Sequence, residues 1–178
     1  MAKVRVAING FGRIGRNIVR AIYESGRADI DVVSVNDLGP VETNAHLLRY
    51  DSVHGRFPHE VKVDGDSISI GTDKFKVTAH KDPSQLPWKD LGVDIALECT
   101  GIFTSKDKAS AHLTAGAKRV LVSAPADGAD LTVVYGVNHD KPPKAHNIGS
   151  NASCPPTSPP PFPPVLPAAA ALPQRFLT

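Results

Sequence analysis

Gly10-Phe11-Gly12-Arg13-Ile14-Gly15 spells G-x-G-x-x-G. In that pattern the first glycine permits a tight turn, the second lets the backbone approach a pyrophosphate, and the third allows a helix to pack close to a strand. The free amides at the start of the following helix, where Arg13 and Ile14 fall, then face an anion. Asp37 stands about twenty residues past the last glycine, where dinucleotide folds place a ribose carboxylate. An acid there accepts hydrogen bonds from the ribose hydroxyls and repels a 2′-phosphate. Two unit charges ~4 Å apart at an effective dielectric near ~20 interact by ~4 kcal/mol, so the sign favours NAD over NADP. The competing reading has Asp37 open a turn before Gly39-Pro40. Two thiols complete the reactive set. Cys99 lies in an apolar run and reads as an inert core thiol. Cys154 closes the run Ser150-Asn151-Ala152-Ser153-Cys154 and is the candidate nucleophile.

These groups need a frame, and the hydrophobic pattern supplies one. Val4–Asn9 is a short apolar strand, and Arg13–Ser25 follows with apolar residues at Ile14, Ile18, Val19 and Ile22, a helical spacing. Ile30–Asn36 is a second strand and Glu42–Tyr50 a second helix. The period then changes to two over Glu60–Asp64, Ser67–Ile70 and Lys76–Thr78, with Asp64-Gly65-Asp66 and Gly71-Thr72-Asp73 as turns. Val93–Cys99 is a strand, Lys106–Thr114 a helix, and Arg119–Ser123 and Leu131–Val137 are strands. Apolar strands alternating with helices predict an α/β fold: a Rossmann-type doubly wound, mostly parallel sheet carrying a small antiparallel meander as an insertion.

The composition narrows the partners. A net charge of +2 with scattered basic residues gives no nucleic-acid groove and no anionic membrane surface. Two cysteines imply no disulfide framework and fit a reducing, cytoplasmic setting. Met1–Val6 runs straight into a strand, without signal-peptide anatomy, and no apolar run reaches membrane-spanning length. The seven histidines show no tight metal spacing, so no metal is expected; His54, His59, His139 and His146 read as solvated or locally bonded.

Longer blocks carry a family resemblance. Ala7–Arg16, Val35-Asn36-Asp37, Tyr50–Phe57, Asp82-Pro83 with Pro87-Trp88, Glu98–Phe103, Val122–Pro125 and Ser150–Cys154 resemble, in family order, the phosphorylating glyceraldehyde-3-phosphate dehydrogenases. The resemblance covers residues 1–154. It implies that Gly10, Gly12, Arg13, Ile14 and Gly15 meet the NAD phosphates and Asp37 the adenosine ribose. It places Lys81 beside the adenine, where the family often has arginine, and Thr100, Gly101 and Ser123 on the nicotinamide side. Cys154 is then the nucleophile, with Ser153 helping to hold phosphate. The implied reaction takes glyceraldehyde 3-phosphate through a thiohemiacetal and, after hydride transfer to NAD, a thioester that phosphate cleaves. The family works as a homotetramer in glycolysis. An erythrose-4-phosphate dehydrogenase branch shares most of these motifs, and a non-catalytic NAD-binding fragment or pseudogene product is the reading from another class.

The pattern breaks after Cys154. The family continues with Thr-Thr-Asn-Cys and a long helix, whereas this chain reads Pro155-Pro156-Thr157-Ser158-Pro159. Codons ACC ACC AAC read one nucleotide later give Pro-Pro-Thr, so residues 155–178 read as an out-of-frame, disordered segment. That segment holds nine of the sixteen prolines and one charged residue, Arg175. A Pro-rich docking segment in polyproline II form is the runner-up. The expected organisation is therefore an NAD-binding domain over 1–154 and a tail over 155–178. The family's partner histidine, further phosphate-binding residues and most of the tetramer interface are expected in a second domain, so this truncated stretch is expected to be inactive by itself.

Overall fold

A computed structural model of the chain describes residues 3–134, 138 and 147–151. Ser153, Cys154 and residues 155–178, with the sequence-based readings made of them, lie outside the described residues. The elements run β1 Val4–Asn9, α1 Arg13–Glu24, β2 Ile30–Asn36, α2 Val41–Arg49, β3 Tyr50–Asp51, β4 Gly55–Arg56, β5 Val61–Asp64, β6 Ser67–Ile70 and β7 Asp73–Thr78. A 3₁₀ turn at Pro83–Gln85 precedes β8 Ile95–Glu98, α3 Lys106–Ala109, α4 Ala111–Thr114, β9 Arg119–Val122, β10 Leu131–Val133 and β11 Ile148–Asn151.

Nine strands form one sheet in the order β10-β11-β9-β8-β1-β2-β7-β6-β5. From β10 to β7 all neighbours are parallel. The chain winds outward from β1 through β2 to β7, then returns to the other side of β1 with β8 and β9. The order therefore reverses between β1 and β8, and there the carboxyl ends of an open α/β sheet form a ligand crevice.

Both faces of the central strands are covered, as their apolar runs require. Val6, Ile8, Val32 and Val35 join Phe11, Val19 and Leu48 in one core, under α1 and α2. Ala7, Val33 and Ala96 face the other way, against Trp88, Leu86, Val93, Ala115 and Ala117.

The expected antiparallel meander is present as β5-β6-β7, and it continues the main sheet, because β7 pairs antiparallel with β6 and parallel with β2. Its period of two reflects one-sided burial: Val61, Ile68, Ile70, Phe75 and Val77 are buried, while Lys62, Lys74 and Lys76 are exposed. The single helix expected over Lys106–Thr114 is two short helices meeting at Ser110. The Ser110 hydroxyl donates to the Asp107 carbonyl at 2.5 Å, a local bond that competes with the helical ladder. Ser150-Asn151, at the start of the cysteine motif, form the end of β11.

Candidate functional site

The glycine motif lies at the switch point. Gly10 directly follows β1 with φ +93, a left-handed conformation that a side chain resists. A Cβ at Gly10 would come 2.7 Å from the Thr100 backbone nitrogen, so the glycine turn and the turn after β8 touch backbone to backbone. A Cβ at Gly15 would lie 2.3 Å from the Gly10 carbonyl oxygen, which fixes how closely α1 approaches its own entry loop. Gly12 differs: a Cβ there meets nothing within 4 Å. Gly12 is the N-cap of α1, and no side-chain hydrogen bond caps the helix. Arg13 and Ile14, the first helical residues, are exposed, Ile14 by 51%. An uncapped twelve-residue helix with open space over its N-cap glycine is a ready anion seat.

Asp37 follows the last residue of β2. One carboxylate oxygen accepts from the Phe11 amide at 2.9 Å and the other from the Gly39 amide at 2.8 Å. The second bond is the turn role weighed against binding; the first ties the acid to the glycine loop. The turn bond does not exhaust the acid, because each carboxylate oxygen can accept more than one bond. Beside Asp37 a groove of about 330 Å³ is lined by Gly39, Val41, Thr78, Ala79 and His80, among others. Exposed Lys81 comes directly after that rim. A groove of the same volume at the opposite, amino-terminal edge, between Lys3, Tyr23, Arg27 and Asp73, contains none of the motif residues.

The other half of the crevice is built by β8, β9 and β11. Thr100 and Gly101 turn out of β8, with Gly101 at φ +75. Ser123 follows β9, and its amide donates to the Glu98 carbonyl at 2.9 Å. Ser150 of β11 is buried; its hydroxyl donates to the Ala124 carbonyl at 2.8 Å and accepts from the Ala126 amide at 3.0 Å. The cysteine motif thus begins on the same carboxyl edge. Cys99 packs against the first core. Burial pushes its thiol up to about 11, against a lowering hydrogen bond from Ser123, which keeps it protonated and unreactive at neutral pH. Among the described residues no cluster of His, Cys, Asp or Glu could hold a metal ion. His54 is exposed and bonded to Asp51 at 3.1 Å.

Beneath the crevice runs a buried polar chain that motif reading missed. Glu98, the last residue of β8, is 1% exposed. One of its oxygens accepts from the Thr100 amide at 2.8 Å and from the Thr100 hydroxyl. The other accepts from the Asn9 side-chain amide at 2.7 Å and pairs with His112 Nε2 at 2.8 Å. Asn9 in turn accepts from Asn36 at 2.8 Å, and Asn36 accepts from the Thr78 hydroxyl and the His80 amide, each at 2.9 Å. Trp88 Nε1 closes the other end on His112 Nδ1 at 3.1 Å. Burial is the largest influence on the Glu98 carboxyl and pushes it up; the bonds from His112, Thr100 and Asn9 together outweigh it and hold it below the ordinary value. The available signal was a polar residue ending each apolar strand: Asn9, Asn36 and Glu98.

The family model for the glyceraldehyde 3-phosphate dehydrogenase NAD binding domain matches residues 4–106. The chain belongs to that family. Its glycine cradle and open helix terminus fit the family's NAD, which supplies a hydride acceptor when bound. Xanthobacter flavus glyceraldehyde-3-phosphate dehydrogenase is 69% identical over 175 residues, 98% of this chain and 52% of the relative. The Cereibacter sphaeroides enzyme is 61% identical over the same shares. The chromosomal Cupriavidus necator enzyme is 58% identical over 153 residues, 85% of this chain and 46% of the relative. The chain thus spans about half the length of the curated relatives it matches. The first two alignments run on past Cys154 into the proline-rich segment.

Gly12→Ala should separate NAD binding from folding in this domain. Its Cβ meets no protein atom. Stability should therefore fall by less than about 1 kcal/mol, the usual cost of a poorer N-cap. NAD affinity should fall at least about tenfold, since the methyl occupies the space over the helix terminus. Calorimetry checks the second number and chemical denaturation the first; unchanged affinity would remove Gly12 from the phosphate seat.

Proposed function

We propose that this chain is the cofactor half of an NAD-dependent, phosphorylating glyceraldehyde-3-phosphate dehydrogenase acting in the cytoplasm. The observation that carries this reading is the crevice at β1 and β8, with Gly10 against Thr100 on its floor and Asp37 at its adenosine end. In this proposal Arg13, Ile14 and the glycines seat the pyrophosphate. Asp37 holds the adenosine ribose, Lys81 flanks the adenine, and Thr100, Gly101 and Ser123 border the nicotinamide. Cys154 bonds to the carbonyl carbon of glyceraldehyde 3-phosphate, and Ser153 helps hold the phosphate that later cleaves the acyl group. The homotetramer of the complete enzyme belongs to the proposal as well.

Residues 155–178 are proposed to be an out-of-frame tail on a domain ending at residue 154. The support is the abrupt change inside the cysteine motif and the Pro-Pro-Thr that a one-nucleotide shift of Thr-Thr-Asn yields. Sequencing the locus tests this: Thr-Thr-Asn-Cys encoded in another phase supports it, and a single uninterrupted frame through the proline codons refutes it.

The cofactor reading has a direct test. Calorimetry should show NAD binding tighter than NADP, and Asp37→Ala should narrow the gap at least about tenfold, given the repulsion expected between a carboxylate and a 2′-phosphate. Equal affinity of the unmutated chain for both dinucleotides would remove Asp37 as the discriminator.

A further inference from the structure

The donor inventory of the buried chain determines its charge. An indole nitrogen can only donate, so Trp88 Nε1–H requires a lone pair on His112 Nδ1. The remaining ring proton is then on Nε2, facing Glu98. The imidazole is neutral. Glu98 receives its bonds from the Thr100 amide and hydroxyl, the Asn9 amide and His112 Nε2, all of them neutral donors. Its only ion-pair contact among the described residues is that neutral histidine. The assembly carries one net negative charge, with both side chains 0% exposed.

Its place in the crevice gives that charge a direction. A doubly wound sheet binds a dinucleotide as two halves, one over each side of the switch point. Asp37 marks the adenosine half at the end of β2, so the nicotinamide half lies over the ends of β8 and β9. Glu98 ends β8 and bonds the Thr100 turn directly. NAD and NADH share every charge except that of the nicotinamide ring, which is +1 when oxidised and neutral when reduced. A fixed anion beneath the ring's half acts on that difference alone.

We propose that Glu98, ionised and with no cation against it among the described residues, sets the redox-state preference of this site by favouring the oxidised, cationic nicotinamide over the reduced, neutral one. The inference rests on the NAD-binding reading above. An opposite unit charge at a distance on the order of 10 Å, screened by an effective dielectric of about 20–40, biases such a ratio by about 4- to 16-fold. Adenosine-end carboxylates act on both forms equally, so Asp37→Asn should weaken NAD and NADH by the same factor.

The experiment is calorimetric titration of the 178-residue chain and its variants with NAD and with NADH. Glu98→Gln removes the charge and should shift the NADH-to-NAD affinity ratio toward NADH by about 4- to 16-fold. Glu98→Asp keeps the charge and should restore the original ratio, which a merely structural role would not do. Should Glu98→Gln fail to fold, His112→Lys tests the same charge: it sets a cation against Glu98 in place of the neutral ring donor and should shift the ratio in the same direction. An unchanged ratio in a folded Glu98→Gln or His112→Lys chain overturns the proposal, as does an Asp variant that behaves like Gln. If the unmutated chain binds neither dinucleotide, the cofactor reading itself fails, and the proposal with it.

Discussion

Replacing Glu98 with leucine should cost the domain about 3–5 kcal/mol, because several donors lose their shared carboxylate acceptor at once. Leucine fits the apolar surroundings but accepts no hydrogen bond. The Thr100 amide, the Asn9 amide and His112 Nε2 would each face it unpaired. Each buried donor left without a partner costs about 1–3 kcal/mol, and only the Thr100 hydroxyl can rotate elsewhere. Chemical denaturation followed through Trp88, the sole tryptophan, measures the loss. A cost under about 1 kcal/mol would mean that water reaches these groups. The pH dependence carries the same signature. The folded carboxyl titrates below its ordinary 4.5, so its stabilisation is complete above about that pH and is lost as pH falls through the lower, folded value. The leucine variant should lack that part of the acid destabilisation.

A polypeptide of these 178 residues should oxidise glyceraldehyde 3-phosphate at no measurable rate. The proposed route needs a thiolate, a group to accept its proton, a phosphate site and a bound nicotinamide. Here Pro155 and Pro156 follow Cys154 directly. Proline disfavours the α conformation in the residue before it, and a helix N-terminus is one of the features that lower a cysteine pKa. Absent general-base assistance alone slows such chemistry ~10²–10⁴-fold. Iodoacetamide should accordingly modify Cys154 with a pH midpoint near ~8.5, that of a free thiol. A polypeptide in which the family's Thr-Thr-Asn-Cys and second domain follow Cys154 should regain turnover and a lowered midpoint. Steady NADH production by the 178-residue chain, abolished by Cys154→Ser, would refute this expectation.

Residues whose roles are set by near neighbours could be read directly. β1, β2 and β6 fall at Val4–Asn9, Ile30–Asn36 and Ser67–Ile70, as expected, because their apolar periods and flanking turns are local. The glycine motif was legible for the same reason: turn, N-cap and helix start lie within six residues. Tertiary structure decided what depends on distant chain. The meander joins the main sheet because β7 finds the free edge of β2, a pairing that a period of two cannot announce. Gly10 is obligatory because Thr100, ninety residues later, presses against it. Only the folded sheet brings Asn9, Asn36, Glu98, Trp88 and His112 into one hydrogen-bonded chain, and each of them alone reads as an ordinary strand end or core residue. The amino-acid types supplied the donors and acceptors. Their order in space, and hence the buried carboxylate under the crevice, comes from strands whose sequence neighbours are not their sheet neighbours.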